Sequence, residues 1–170
     1  MRHTMALDRK HKPEVVEADS GEFSLLLRDG NNLVFSSRKH GLRPLLECVA
    51  AYSGRLHNAS LTDKVVGRAA ARLIVTSGII SRVTAGIISE GALQCLADHP
   101  IKVEWGKTVA AILRADGNGI CPMEELNNRF PDDGEFLTAI SAHFSIQLPQ
   151  FLSEIPENES LTGSSMDNID

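Results

Sequence analysis

Hydrophobic and polar residues alternate with two different periods along the chain, and the periods predict strands and helices. Residues 23–28 and 33–36 are apolar runs on either side of Asp29-Gly30-Asn31-Asn32. An Asp-Gly pair between two such runs is typical of a β-hairpin. The next segment starts at Gly41-Leu42-Arg43-Pro44, continues with apolar residues at helical spacing and stops at Gly54. Since proline suits the first turn of a helix, we expect a helix to begin there.

Strands and helices alternate in the pattern of residues 56–105. Apolar residues at helical spacing run from Val65 to Ile74, with Asp63 as the expected N-cap and Gly78 as the stop. The predicted elements, in order, are a short strand 56–61, a helix 63–77, a strand 83–88, a helix from Ser89 to about Asp98 and a strand 101–105. This alternation favours parallel pairing, and so a three-layer α/β/α fold with a mixed sheet.

The pattern loosens after Trp105. We expect one or two helical turns at Val109, Ile112 and Leu113, and a helix that runs from Cys121-Pro122 towards Arg129. The apolar spacing of residues 136–144 predicts a last amphipathic helix. We therefore divide the chain into a flexible leader, an α/β domain, a helical extension and a disordered acidic tail, at residues 1–21, 22–130, 131–152 and 153–170.

Composition and charge exclude several classes of protein. Apolar residues make up 42% and charged residues 23% of the 170 residues, as in ordinary globular proteins. No apolar run approaches the ~20 residues of a membrane span. Three cysteines without a CxxC pair are typical of a reducing compartment, so we expect a cytoplasmic protein. Residues 108–170 carry 2 basic against 11 acidic residues. The sequence has no stripe of basic residues interleaved with aromatic ones, so we expect no nucleic-acid partner.

Polar residues at predicted helix starts are the candidate binding site. Ligands of open parallel sheets bind beyond the carboxyl ends of the strands, where backbone N–H groups and the helix dipole favour anions. Plain helix capping and tight packing explain the same residues equally well. The candidate ligand-binding residues are Arg43, Lys64, Gly67, Ser89, Glu90 and Gly119, together with Asp63.

Cys121 is the candidate reactive residue. Pro122 after it predicts that Cys121 is a helix N-cap, a position that favours the thiolate. A thiolate there acts as a nucleophile, a metal ligand or a redox thiol, with Asp63 or Glu124 handling protons. The alternative is a buried structural cysteine, which is the interpretation we prefer for Cys48 and Cys95.

The sequence predicts no metal site and no cofactor. Tetrahedral zinc needs three or four close ligands, often paired at short spacing. The six histidines are scattered, and no HxxxH, HxE or CxxC pattern occurs.

Four ordered motifs carry a resemblance to a known family. The motifs follow one another over about residues 22–129. They are Gly41-Leu42-Arg43-Pro44-Leu45, 63–71 (Asp-Lys-Val-Val-Gly-Arg-Ala-Ala-Ala), Ile88-Ser89-Glu90 and 119–124 (Gly-Ile-Cys-Pro-Met-Glu). They resemble the uncharacterised prokaryotic family called domain of unknown function 1893. This resemblance implies a cytidine-deaminase-like fold with its site at two helix N-termini, here those expected at Asp63 and Ser89. The His or Cys zinc ligands and the Glu of active zinc deaminases are missing at these positions, so zinc deamination is not expected.

Three functions stay open from the sequence. The leading hypothesis is a domain that binds a small anionic or nucleotide-like ligand at helix N-termini. The second is a non-zinc enzyme that uses Cys121. The third is a regulatory protein-interaction module or homo-oligomer, in which the hairpin edge and the last amphipathic helix make the contacts.

Overall fold

The structure, a computed structural model, describes residues 22–152. The leader and acidic tail expected at 1–21 and 153–170 lie outside the described residues. The elements in chain order are β1 Leu25–Asp29, β2 Asn32–Ser37, α1 Arg43–Tyr52, β3 Ala59–Val66, α2 Arg68–Ser77, β4 Ile80–Ser89, α3 Glu90–Ala97, β5 Lys102–Val109, α4 Pro122–Arg129 and α5 Asp133–Phe144, followed by a 3-10 turn Gln150–Leu152.

A mixed five-stranded sheet organises the fold. Its strand order is β2-β1-β3-β4-β5. β1 is antiparallel to both β2 and β3, whereas β3, β4 and β5 are parallel. The predicted hairpin is confirmed, and Gly30 supplies the positive φ of 57° that its turn requires. The predicted mixed sheet is also confirmed, and the arrangement is consistent with the three-layer α/β/α class.

The two faces of the sheet differ in character. Leu61 and Val83 are paired neighbours on β3 and β4, and both are completely buried in the core that the helices share. Their neighbours Thr62 and Thr84 point the other way, because side chains alternate along a strand, and they are only half-buried. This alternation decides which residues of β3 face the helices.

The boundary between β3 and α2 differs from the prediction. Asp63 is not a helix N-cap: it lies inside β3, paired with Leu25 of β1 and Ala85 of β4, and α2 begins only at Arg68. Two adjacent β-branched residues, Val65 and Val66, prefer a strand to a helix, and the sheet supplies partners for them. The end of the helix is as predicted, since Gly78 closes it in the left-handed conformation.

The chain after β5 also differs from the prediction. Residues 109–113 form no helix; β5 runs to Val109, and residues 112–121 fold back as a short two-stranded ribbon. In this 112–121 ribbon Leu113 pairs with Ile120, and the Cys121 N–H donates to the Ile112 carbonyl at 3.0 Å. The predicted helix after Cys121 is confirmed as α4.

Arg72 of α2 holds α4 and α5 in place. Its guanidinium donates to the Asp133 carboxylate and to the carbonyls of Phe130 and Pro131, each at 2.6 Å. It also lies over the Phe136 ring, 4.4 Å from the centroid. These bonds satisfy carbonyls at the C-terminal end of α4, which have no partner within that helix. The α4–α5 pair is thereby fixed against the start of α2.

Candidate functional site

Helices α1 to α4 all begin at one edge of the sheet, α3 because the strand before it, β4, is parallel to β3. Because β2 and β3 are both antiparallel to β1, they run in the same direction and end at the same edge. The helices that follow them, α1 and α2, therefore both begin there. The side chain of Glu124, in the first turn of α4, contacts the backbone at the start of α2, so α4 begins at this edge as well.

The starts of α1, α2 and α4 surround a cavity of about 180 Å³. Its apolar wall includes Leu42 and Pro44 of α1, Ala70 of α2, Ile112 of the ribbon and Met123 of α4. We call this space the helix-start cavity. At this volume it is smaller than the ~300–1,000 Å³ typical of pockets for drug-sized ligands.

Glu124 caps the N-terminus of α2. The N-cap residue of that helix is Gly67, which has no side chain to act as a cap, and the Ala69 N–H instead donates to Glu124 Oε1 at 3.1 Å. A Cβ at position 67 would lie 2.4 Å from this oxygen and 2.9 Å from Ile112 Cγ1. The groups that approach Gly67 closely are therefore the side chains of Glu124 and Ile112.

Asp63 brings a second carboxyl group to the cavity. It is half-buried on the helix-facing side of β3, where its Oδ1 accepts from the Val65 N–H at 3.3 Å. Burial raises its pKa from 3.8 to about 7, and the hydrogen bonds from Val65 and Lys64 only partly oppose this rise. Asp63 therefore exchanges its proton near neutral pH.

Cys121 lines the same cavity from the start of α4. It is the N-cap residue of that helix, as predicted, and its thiol makes no capping hydrogen bond. Its paired neighbour across the ribbon, Ile112, lines the cavity too, whereas the next pair, Leu113 and Ile120, is exposed. The ribbon thus turns one face to the cavity and the other to solvent.

The other two cysteines differ from each other in burial. Cys48 is completely buried in the core, as predicted, and burial together with the nearby Asp63 carboxylate raises its pKa to about 12. Cys95 is half-buried and packs against the core, and burial raises its pKa as well. Neither thiol lines the helix-start cavity.

The structure brings some of the predicted site residues together and separates others. Those that line the cavity are Asp63, Lys64, Gly67, Cys121 and Glu124. Ser89 is a buried N-cap that accepts from the Ala92 N–H, and Glu90 is an exposed residue of the same helix. Arg43 donates to the Phe144 carbonyl at 3.2 Å, and Gly119 makes a ribbon turn. The start of α3 is therefore not part of this cavity, contrary to the expected pairing of Asp63 with Ser89.

Sequence reasoning missed the contribution of the chain before α1. Ser24, His40, Gly41, Leu42 and Pro44 all line the cavity. The motif Gly41-Leu42-Arg43-Pro44 had pointed to a helix start, but only the sheet order shows that this start lies beside that of α2.

The side chains around the cavity do not fit the zinc ion of active deaminases. Although His40, Asp63, Cys121 and Glu124 all border the cavity, no three His, Cys, Asp or Glu side chains within residues 22–152 stand close enough together to hold a metal ion. Tetrahedral zinc needs such a group of ligands.

Comparison with known proteins identifies the family. The family model described as Domain of unknown function (DUF1893), TM1506, matches residues 16–144. The chain belongs to this family. The DUF1893 match extends through α5, beyond the motifs that carried the resemblance, and α5 contributes three buried side chains to the common core.

One solved structure of the DUF1893 family is similar over most of the chain. It is the crystal structure of a DUF1893 family protein (TM1506) from Thermotoga maritima, with 27% sequence identity and a TM-score of 0.64. The alignment covers 72% of this chain and 81% of that chain. No curated protein matches the sequence. In the described part of this DUF1893 protein, no helix is long and apolar enough to cross a membrane.

Proposed function

We propose that this DUF1893 protein binds a small polar ligand in the helix-start cavity. The ligand is nucleotide-like or carries another anionic group. The observation that carries the proposal is that three helix N-termini meet at one cavity at the end of β3. Backbone N–H groups at helix starts are suited to polar and anionic groups, and the carboxyl edge of a parallel sheet is where such folds bind ligands.

The size and lining of the cavity restrict the ligand. A volume of about 180 Å³ accommodates a small molecule or one end of a larger one. The N-terminus of α2 is already occupied by the Glu124 carboxylate, whereas α1 has Leu42 at its N-cap and no capping side chain. An anionic group of the ligand therefore has room at the start of α1 and has to displace Glu124 at the start of α2.

The test is a binding screen with nucleosides, nucleotides and inorganic phosphate, followed by amide chemical shifts of the labelled protein. We expect ligands that bind to shift the Ala69 and Ala70 resonances. Ala70→Leu fills the cavity from α2 and should abolish binding, whereas Ala51→Leu, on an exposed position of α1, should not. A wild-type protein that binds no compound of the panel would overturn the proposal.

A second candidate function is an enzyme without zinc in which Cys121 is the nucleophile or redox thiol. The observation in its favour is that the Cys121 thiol borders the same cavity as Asp63 and Glu124, two carboxyl groups able to transfer protons.

Alkylation by iodoacetamide as a function of pH tests this candidate. Cys121 should react at neutral pH, ligands of the cavity should protect it, and Cys121→Ser should remove the reaction. Cys48 and Cys95 remain in that variant as internal controls. A thiol that titrates near the ordinary value of about 8.5 would count against a catalytic role.

A further inference from the structure

The ionisable side chains that line the helix-start cavity are arranged asymmetrically. Two of them are carboxyl groups, Asp63 from β3 and Glu124 from α4, and the Cys121 thiol lines the cavity beside them. Lys64 follows Asp63 in the strand, so its side chain points to the opposite face of the sheet, and it is exposed. His40 is exposed as well. Within residues 22–152, no lysine or arginine other than Lys64 lines the cavity.

Both carboxyl groups retain capacity to accept further hydrogen bonds. An ionised carboxylate offers about four acceptor sites. Glu124 accepts from the Ala69 N–H, and Asp63 accepts from the Val65 N–H, while the Lys64 N–H donates to the Ser24 carbonyl at 3.1 Å. The Glu124 carboxylate also offsets the positive end of the α2 dipole, which would otherwise repel a cation. The cavity is thus rich in acceptors and enclosed by apolar walls.

We propose that the helix-start cavity selects a small nitrogenous cation, an amidine or guanidine group, held by the carboxylates of Glu124 and Asp63. This inference rests on the proposed ligand-binding function and names the chemistry of the ligand group that lies at Glu124 and Asp63, whereas an anionic group of the same ligand would lie apart from it, at the start of α1. The planar, forked N–H groups of amidinium and guanidinium ions match carboxylate oxygens, and such charge-assisted hydrogen bonds are stronger than neutral ones.

Binding of this cation is linked to the proton on Asp63. The titratable group nearest that carboxyl in α1 is Cys48, which stays a neutral thiol. The others that line the same cavity are Glu124 of α4, Cys121 at the N-cap of α4, His40 before α1 and Lys64 of β3. Because burial raises the pKa of Asp63 to about 7, this carboxyl is partly protonated at neutral pH. A bound cation favours its ionised form, so binding releases a proton and strengthens as the pH rises from 6 to 8.

Three molecules of nearly the same size and shape test the proposal: acetamidine, acetamide and acetate. They are titrated into the labelled full-length protein at pH 7.5, with the Ala69 and Ala70 amide shifts as the readout. Acetamidine should bind at least about tenfold more tightly than either of the other two. Glu124→Gln should remove most of this preference, whereas Glu125→Gln, an exposed neighbour in the same helix turn, should leave it unchanged.

The pH dependence provides a second readout. Acetamidine affinity should rise between pH 6 and 8 in the wild type, and Asp63→Asn should remove that rise. Stronger binding of acetate than of acetamidine, or no binding of acetamidine, would overturn the inference. The binding screen with nucleosides, nucleotides and phosphate is a separate experiment. If one of those compounds shifts the Ala69 and Ala70 amides while acetamidine does not, the proposed ligand-binding function stands and only the inference about the cation fails.

Discussion

The most informative single substitution is Asp63→Asn, because it removes a buried charge and preserves the shape of the side chain. The unfolded chain ionises Asp63 near pH 3.8, whereas the folded protein does so near pH 7. Between these values the folded state binds more protons than the unfolded state, so Asp63 lowers the stability of the wild type as the pH rises. The penalty is absent below pH 3.8 and fully developed above about pH 7.

The magnitude follows from the size of the shift. A rise of about three units corresponds to about 4 kcal/mol at 1.36 kcal/mol per unit. Because Asp63 is only half-buried, solvent screening reduces this value, and we expect a gain of about 2–4 kcal/mol from Asp63→Asn at pH 8. The asparagine oxygen can still accept the hydrogen bond that Val65 donates, and the variant should therefore match the wild type near pH 4.

Urea unfolding of both proteins at several pH values between 4 and 8.5 measures this effect. The difference between the two free energies of unfolding isolates the contribution of Asp63 to the pH dependence of stability, because every other group titrates in both proteins. It should grow with pH and level off above pH 8. A difference that stays constant across this range, or a variant less stable than the wild type at pH 8, would refute a raised pKa at this position.

Other predictions concern the contacts that hold the site. Arg72→Lys should lower the free energy of unfolding by about 2–4 kcal/mol, since lysine cannot replace the forked bonds, whereas Arg82→Lys, at an exposed position, should change it by less than about 0.5 kcal/mol. Gly67→Ala should cost about 1–3 kcal/mol in urea unfolding, because the new Cβ collides with the capping carboxylate. Gly91→Ala meets only the flexible Arg68 side chain at 3.3 Å and should be neutral or stabilising by up to about 1 kcal/mol; equal losses in both glycine variants would contradict the steric argument. Cys48 should resist iodoacetamide in the native protein up to pH 9, which mass spectrometry of the labelled peptides measures; rapid labelling would show that the core around α1 opens.

Local patterns in the sequence were sufficient for most of the elements and for the start of α4. The Asp29-Gly30 turn, the Gly78 helix end, the Ser89 cap and the Cys121-Pro122 helix start are all found where they were expected. Each depends on the conformational preferences of a few adjacent residues, so each can be read from a short stretch of chain.

Tertiary structure alone decided which helix starts form the site. Asp63 was assigned to a helix because its apolar neighbours fit the helical period, yet pairing with β1 and β4 on both sides places it in the sheet. The pairing partners of a strand are distant in sequence, and no local preference encodes them. The sheet order places the start of α3 at the same edge, yet the cavity is lined by the starts of α1, α2 and α4 and not by Ser89. The residue types of the site were visible in the sequence, but their grouping follows from how the helices and the 112–121 ribbon pack at this edge, which only the folded chain establishes.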